Sequence, residues 1–130
     1  MNETRISEFL AAESFAVVGA SNNPAKYGNL VYRDLRDGGR KVFPINPNAR
    51  EIEGDPCYPD LKSLPEKPQV VVFVAPPEIS LKVAKQAYEL GIRKFWFQPG
   101  AEGDEVLAFC AQHGLEVVHS MCVMVQSKRS

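Results

Sequence analysis

From Ser14 to Val118, short apolar runs of strand length alternate with amphipathic stretches of helix length, and this alternation constrains the fold more than any other feature. At its centre lies Gln69–Ala75, QVVVFVA, a run of β-branched and aromatic residues with no polar face, as expected of a strand buried on both sides. Strands of that kind separated by helices form a parallel sheet covered on both faces. The expected elements are a helix Thr4–Ala12 with Ile6, Phe9 and Leu10 on one side, a strand Ser14–Gly19, a helix Gly28–Asp37 with Leu30, Val31 and Leu35 inward, and a strand Lys41–Ile45. After the strand Gln69–Ala75 come a helix Ile79–Leu90, a strand Arg93–Gln98, a helix Asp104–His113 and a strand Leu115–Val118. Gly38-Gly39 and Gly91 are the stops of the two preceding helices.

Residues 46–68 are dense in Pro, Asn, Asp and Gly, so they read as a long connection with turns and room for a short strand or helical turn. Ile52, Tyr58, Leu61 and Leu64 anchor it, which argues against a domain linker, and the tail QSKRS is expected to fray. Right-handed crossovers turn this order into a doubly wound, mostly parallel α/β sheet with helices on both faces. At 130 residues and 45% apolar, one domain spanning 1–130 suffices, burying roughly two-thirds of its unfolded surface. A ligand site in such a sheet lies beyond the carboxyl ends of the strands, at the switch point where the first strand and QVVVFVA part. Three loops, GASNNPAKYG, PINPN and APPE, are thereby expected together.

Charge and cysteine usage narrow the function. Fifteen Lys and Arg against 16 Asp and Glu give a net charge of -1, so no general basic field draws the chain to nucleic acid or anionic membrane. The amino-terminal stretch MNETRISEFLAAES has an early acid and no long apolar run, unlike a signal peptide or membrane span, and the expected location is cytoplasmic. Cys57, Cys110 and Cys122 are widely spaced and include no CxxC pair, so neither a disulfide framework nor a zinc site is expected.

The first loop half resembles two phosphate motifs and satisfies neither. A G-x-G-x-x-G from Gly19 needs glycine at Ser21 and Pro24, and a Walker A needs glycine at Pro24 and lysine at Ala25. The acid that would meet a nicotinamide ribose is also missing, since the second strand ends in Phe43-Pro44-Ile45-Asn46. What remains is a turn and helix N-terminus whose backbone amides favour an anion, with a hydroxyl at Ser21, a full charge at Lys26, and Gly28 allowing close approach of helix to sheet. The competing reading is structural: Ser21 and Asn22 cap the helix and Lys26 is a solvated surface lysine. APPE offers carbonyls and apolar rings suited to a flat base, although Pro77 and Glu78 also simply suit a first helical turn.

GASNNPAKYG, FPINPN, EIEGDPCYPDL, VAPPE and WFQPGAE, in this order and spacing, resemble the small single-domain CoA-binding proteins, which are similar to the N-terminal domain of the succinyl-CoA synthetase α subunit. The resemblance runs from about Ile6 to Cys122 and implies a Rossmann-like, nucleotide-binding fold with coenzyme A at the three loops. It matches Gly19, Ala20, Ser21 and Asn22 to the turn that meets the CoA phosphates, and Lys26 and Tyr27 to its continuation. Asn46 and Pro47 match the loop after the second strand, Val74, Ala75 and Pro76 the loop on the adenine side, and Trp96 with Gln98 the end of the following strand. The related ligases carry a phosphorylated histidine on a second domain, for which 130 residues leave no room.

Catalytic groups are sparse. A nucleophilic triad needs a base beside Ser or Cys, and the only histidines are His113, placed at a helix C-terminus, and His119, three residues from Cys122. No carboxylate pair stands at a strand end, and no catalytic or metal-binding set is expected. The resulting expectation is a module that binds CoA or an acyl-CoA without chemistry of its own, as a carrier, a sensor or a subunit. The alternatives are an NAD(P)-linked reductase, a CoA-thioester enzyme using Cys122 or His119, or a structural partner domain with a vestigial site.

Overall fold

A computed structural model of the chain describes residues 3–129. The described residues form five α-helices, α1 (Glu3–Leu10), α2 (Tyr27–Asp37), α3 (Pro77–Glu89), α4 (Asp104–Gln112) and α5 (Val123–Arg129), and seven strands. The strands are β1 (Ser14–Val18), β2 (Lys41–Ile45), β3 (Glu51–Ile52), β4 (Asp55–Pro56), β5 (Val70–Phe73), β6 (Lys94–Phe97) and β7 (Glu116–His119). Five of them form a parallel sheet in the order β2-β1-β5-β6-β7, a doubly wound arrangement whose connections leave β1 in opposite directions. The switch point therefore falls between β1 and β5.

Side chains of period two sort the core into two layers. Ala16, Val18, Val71, Phe73, Phe95 and Phe97 meet Ala84 and Ala87 of α3 and Val106 and Cys110 of α4. On the other face Phe15, Val17, Val70, Val72, Trp96 and Val118 meet α1, α2 and α5. Every residue of β1 and β5 is buried, as the absence of a polar face in QVVVFVA requires.

Two expectations change. The inward stripe of α2 is Gly28, Val31, Tyr32 and Leu35, the i, i+3, i+4, i+7 set, while Leu30 falls on its flank and is 36% exposed. The tail is not frayed over its described length. Val123 is buried, its amide donates to the Gln98 side chain at 2.7 Å, and Ser127 Oγ donates to Asp34 at 2.9 Å, so QSKR continues α5; Ser130 lies outside the described residues.

The long connection holds the β3–β4 hairpin, whose turn residues Glu53 and Gly54 take φ of 52° and 81°, the positive pair of a type I′ turn. A 3-10 turn at Leu61–Ser63 follows, capped by Asp60, whose carboxylate accepts from the Ser63 amide at 2.9 Å.

Candidate functional site

β1 runs into Gly19, where the chain turns at φ +96°. The Gly19 amide donates to the Ile45 carbonyl at the end of β2, and a Cβ at Gly19 would stand 3.1 Å from the Ala75 nitrogen. The opening of α2 sits still closer: a Cβ at Gly28 would lie 1.9 Å from the Gly19 carbonyl oxygen. Glycine at both positions lets the first turn of α2, the end of β1 and the start of the APPE turn share one point.

Polar side chains then fix the turn. Asn46 Nδ2 donates to the Ala20 carbonyl at 2.8 Å and ties PINPN to the first loop, while its Oδ1 accepts from the Asn48 amide and closes a local turn within PINPN. Asn22 donates to the Glu51 carbonyl at 2.7 Å and accepts from the Glu53 amide at 3.0 Å, which pins the turn to the β3–β4 hairpin. Buried Asn29 donates to the Ser21 carbonyl and to Glu53, both at 2.9 Å, and accepts from Arg33. Ser21 Oγ accepts from the Asn23 amide and Asn23 Oδ1 from the Ala25 amide, so these residues shape the loop rather than cap α2.

The hairpin is itself clamped to α2. Tyr32 donates to Asp55 at 2.5 Å and Arg36 donates to the same carboxylate oxygen at 3.0 Å. The Tyr32 hydroxyl, then Arg36, hold the Asp55 carboxyl below the ordinary carboxylate range. Burial, then Asp55, push the Tyr32 hydroxyl above its usual value.

The consequence is a preformed turn with donors to spare. The amides of Ala20, Ser21, Asn22, Tyr27 and Gly28 make no hydrogen bond to the described residues, and the N-cap of α2, Lys26, supplies no side-chain cap. Unpaired amides at a helix start, with a lysine beside them, are the kind of donor set that favours an anion.

Beside it opens a cleft of about 380 Å³ that shares Gly19 with the turn. Its walls are apolar: Val18, Ile45, Pro47 and Ala75 from the strand ends, Pro59 and Leu61 from the long connection, and Ile79 with Val83 from α3. Asn46, Asp60, Lys82 and Gln86 complete the lining. An apolar slot with a few polar groups, at a switch point and next to such a donor set, fits a flat base joined to phosphate.

Of the residues expected at a site, Gly19, Asn46, Pro47 and Ala75 line this cleft, and Ala20, Ser21 and Asn22 form the turn. Lys26 is exposed, and Tyr27, 61% exposed, opens α2. Val74 and Pro76 flank Ala75 outside the lining. Trp96 and Gln98 go elsewhere. Trp96 is wholly buried against Phe9, with its indole N–H donating to the Met121 carbonyl at 2.9 Å. Gln98, 3% exposed, accepts from Val123 and donates to Cys122 Sγ at 3.4 Å. Both side chains anchor the start of α5 and offer no surface to a ligand here.

The α3 wall was missed in the sequence. Its signal is a second stripe, Ile79, Lys82, Val83 and Gln86, running beside the core stripe Ser80, Ala84 and Ala87 at helical spacing. The exposure of Ile79, 44%, follows from its place on the cleft wall.

The reactive groups have separate partners. His119 Nδ1 bonds Ser120 Oγ at 2.9 Å, and Cys122 faces Gln98. His113 ends α4, donates to the Phe109 carbonyl, and packs 4.5 Å from Tyr88 and 4.3 Å from Phe109, ring centre to ring centre. Burial raises the Cys110 thiol to about 11 and also raises Cys57. Among the described residues no three His, Cys, Asp or Glu side chains gather as metal ligands, and no helix is long and apolar enough to cross a membrane.

Comparison with known proteins bears on the same region. The chain is 37% identical over 71 residues to an ADP-forming acetate–CoA ligase of Archaeoglobus fulgidus, covering 55% of this chain and 10% of the ligase. Against the α subunit of an ADP-forming acetate–CoA ligase of Pyrococcus furiosus it is 25% identical over 130 residues, covering 92% of this chain and 28% of the subunit. The chain thus spans less than a third of either relative. A solved conserved hypothetical protein from Pyrococcus furiosus superposes with a TM-score of 0.84 at 49% identity, over 88% of this chain and 98% of that one. The CoA binding domain model matches residues 13–128, from just before β1 into α5 and across every loop of the site, and the chain belongs to that family.

Proposed function

We propose that the chain binds coenzyme A, free or acylated, across the carboxyl edge of its sheet. The adenine end occupies the apolar cleft between β2 and α3, and the pyrophosphate lies over the Gly19–Asn22 turn and the first amides of α2. The observation that carries this reading is the junction at Gly19 of an apolar slot and a preformed cluster of unused amides. A ligand with a flat base and a pyrophosphate a few bonds away matches both halves, and membership of the CoA binding domain family supports it.

The role is that of a carrier, sensor or subunit within a single domain of the cytoplasm, without nucleic acid or membrane as partner. Kinship with an acetate–CoA ligase α subunit makes a protein partner carrying the remaining chemistry a natural extension. NAD and NADP are the competing ligands, and β2 ends at Ile45, followed by Asn46, with no acid there to hold a nicotinamide ribose.

Thermal unfolding with a ligand panel tests the reading. CoA or acetyl-CoA at 100 times Kd adds about 2.7 kcal/mol and raises Tm by about 5–15 °C, while NAD and NADP leave it unchanged. A shift with NAD and none with either CoA ligand overturns it.

A further inference from the structure

The cleft holds a cation that nothing in the fold employs. Lys82 stands on α3 one turn beyond Ile79, lines the cleft, and has no ion pair or hydrogen-bond partner among the described residues. The other polar groups of the lining are largely committed. Asn46 is used at both ends by the loops, and Asp60 accepts from the Ser63 amide. Lys26 belongs to the turn at the start of α2, and Lys62 lies in a neighbouring depression that shares Asp60 and Gln86 with the cleft. Lys26 and Lys82 are thus distributed over two places, one at the turn and one at the cleft.

We propose that Lys82 reads a phosphate on the adenosine ribose, so that the cleft selects a 3′-phosphoadenosine end over an unphosphorylated one. This rests on the CoA reading above and adds to it the residue that discriminates between adenosine ligands. The placement has a chemical reason. A base held between Ile45 or Pro47 and the Ile79–Val83 wall has Asn46, Asp60, Lys82 and Gln86 as the polar groups of its lining. The Asp60 carboxylate disfavours a phosphate there unless a cation answers it, and Lys82 is the cation of that lining. Gln86, one turn further along α3, adds a neutral donor.

Calorimetric titration of CoA and 3′-dephospho-CoA against the wild type, Lys82→Gln and Lys82→Arg tests this. Lys82 is exposed on a helix, so the substitutions leave the fold intact. Wild type should prefer CoA by about tenfold, the scale of one charge-assisted contact. Lys82→Gln should bring the two ligands within about twofold by weakening CoA alone, Lys82→Arg should keep the preference, and added salt should erode it. Equal wild-type affinity for the two ligands, or a preference that survives Lys82→Gln, overturns the assignment; Lys26→Gln then asks whether the phosphate is read at the turn instead. A wild type that binds neither ligand overturns the CoA reading itself, an outcome distinct from loss of the preference alone.

Discussion

Gly28 decides whether α2 can close on the Gly19 turn. Its hydrogen faces the Gly19 carbonyl at a distance where a methyl group would stand 1.9 Å from oxygen, and both partners are backbone, so neither can swing aside. Gly28→Ala must push α2 off the turn. The expected cost is about 1–3 kcal/mol, read by urea unfolding, together with a clear loss of CoA affinity because the Tyr27 and Gly28 amides leave their positions. Unchanged stability and affinity in this variant would show that the close approach is not needed. The need for glycine here was readable from GASNNPAKYG, because a strand that enters a helix through a tight turn brings two backbones together. The asparagines were less legible. Asn22 could read as a ligand contact or a helix cap, and Asn46 as a ligand contact or a local turn; the Asn22 side chain bonds the β3–β4 hairpin, and that of Asn46 bonds the Ala20 carbonyl and the Asn48 amide. One-dimensional spacing gives no information about which of two nearby loops a side-chain amide will reach.

At the scale of elements, the hairpin and α5 are the parts that the chain pattern conceals. β3 and β4 have two residues each, too few for a periodicity, and their place is fixed by Tyr32, Arg36, Asn22 and Asn29, which lie 20 or more residues away or on another element. The Asp55 clamp makes a testable contribution. Its carboxyl titrates lower folded than unfolded, so its stabilisation is complete above the unfolded range near about pH 4 and is lost as pH falls through the folded value. Because the group is largely open to solvent, Asp55→Asn should cost only about 0.5–1 kcal/mol at pH 7. The gap from wild type should close as urea unfolding is repeated down to pH 2, whereas a gap that persists or widens in acid contradicts the clamp. Trp96 and Gln98 illustrate a related limit. They stand at the correct strand end, but Trp96 falls on the face that meets α1, and Gln98 is consumed by the start of α5, a helix hidden in a polar tail without a stripe of its own. The α3 wall was concealed for the opposite reason, since its stripe lies next to a core stripe and merges with it in sequence.

For the whole molecule, the doubly wound class and the switch point followed from the alternation of apolar runs and the handedness of crossovers, and the sheet β2-β1-β5-β6-β7 parts between β1 and β5 as expected. The near-neutral charge places any electrostatic selectivity in local groups, Lys26 at the turn and Lys82 at the cleft, rather than in a general field. The two ends of the sheet are therefore expected to behave differently toward a nucleotide. Its carboxyl edge carries the turn and the cleft, while Gly38, Gly91 and Gly114 mark the opposite ends of α2, α3 and α4. Amide chemical shifts followed by NMR during a CoA titration test this most directly. The account predicts that the amides of Gly19 to Asn22, Tyr27, Gly28 and the cleft residues Asn46 and Ala75 move together with one saturation curve, while those of Gly38, Gly91 and Gly114 stay in place. Saturable shifts centred on the opposite edge, or none at the Gly19 turn while CoA is bound, would contradict it.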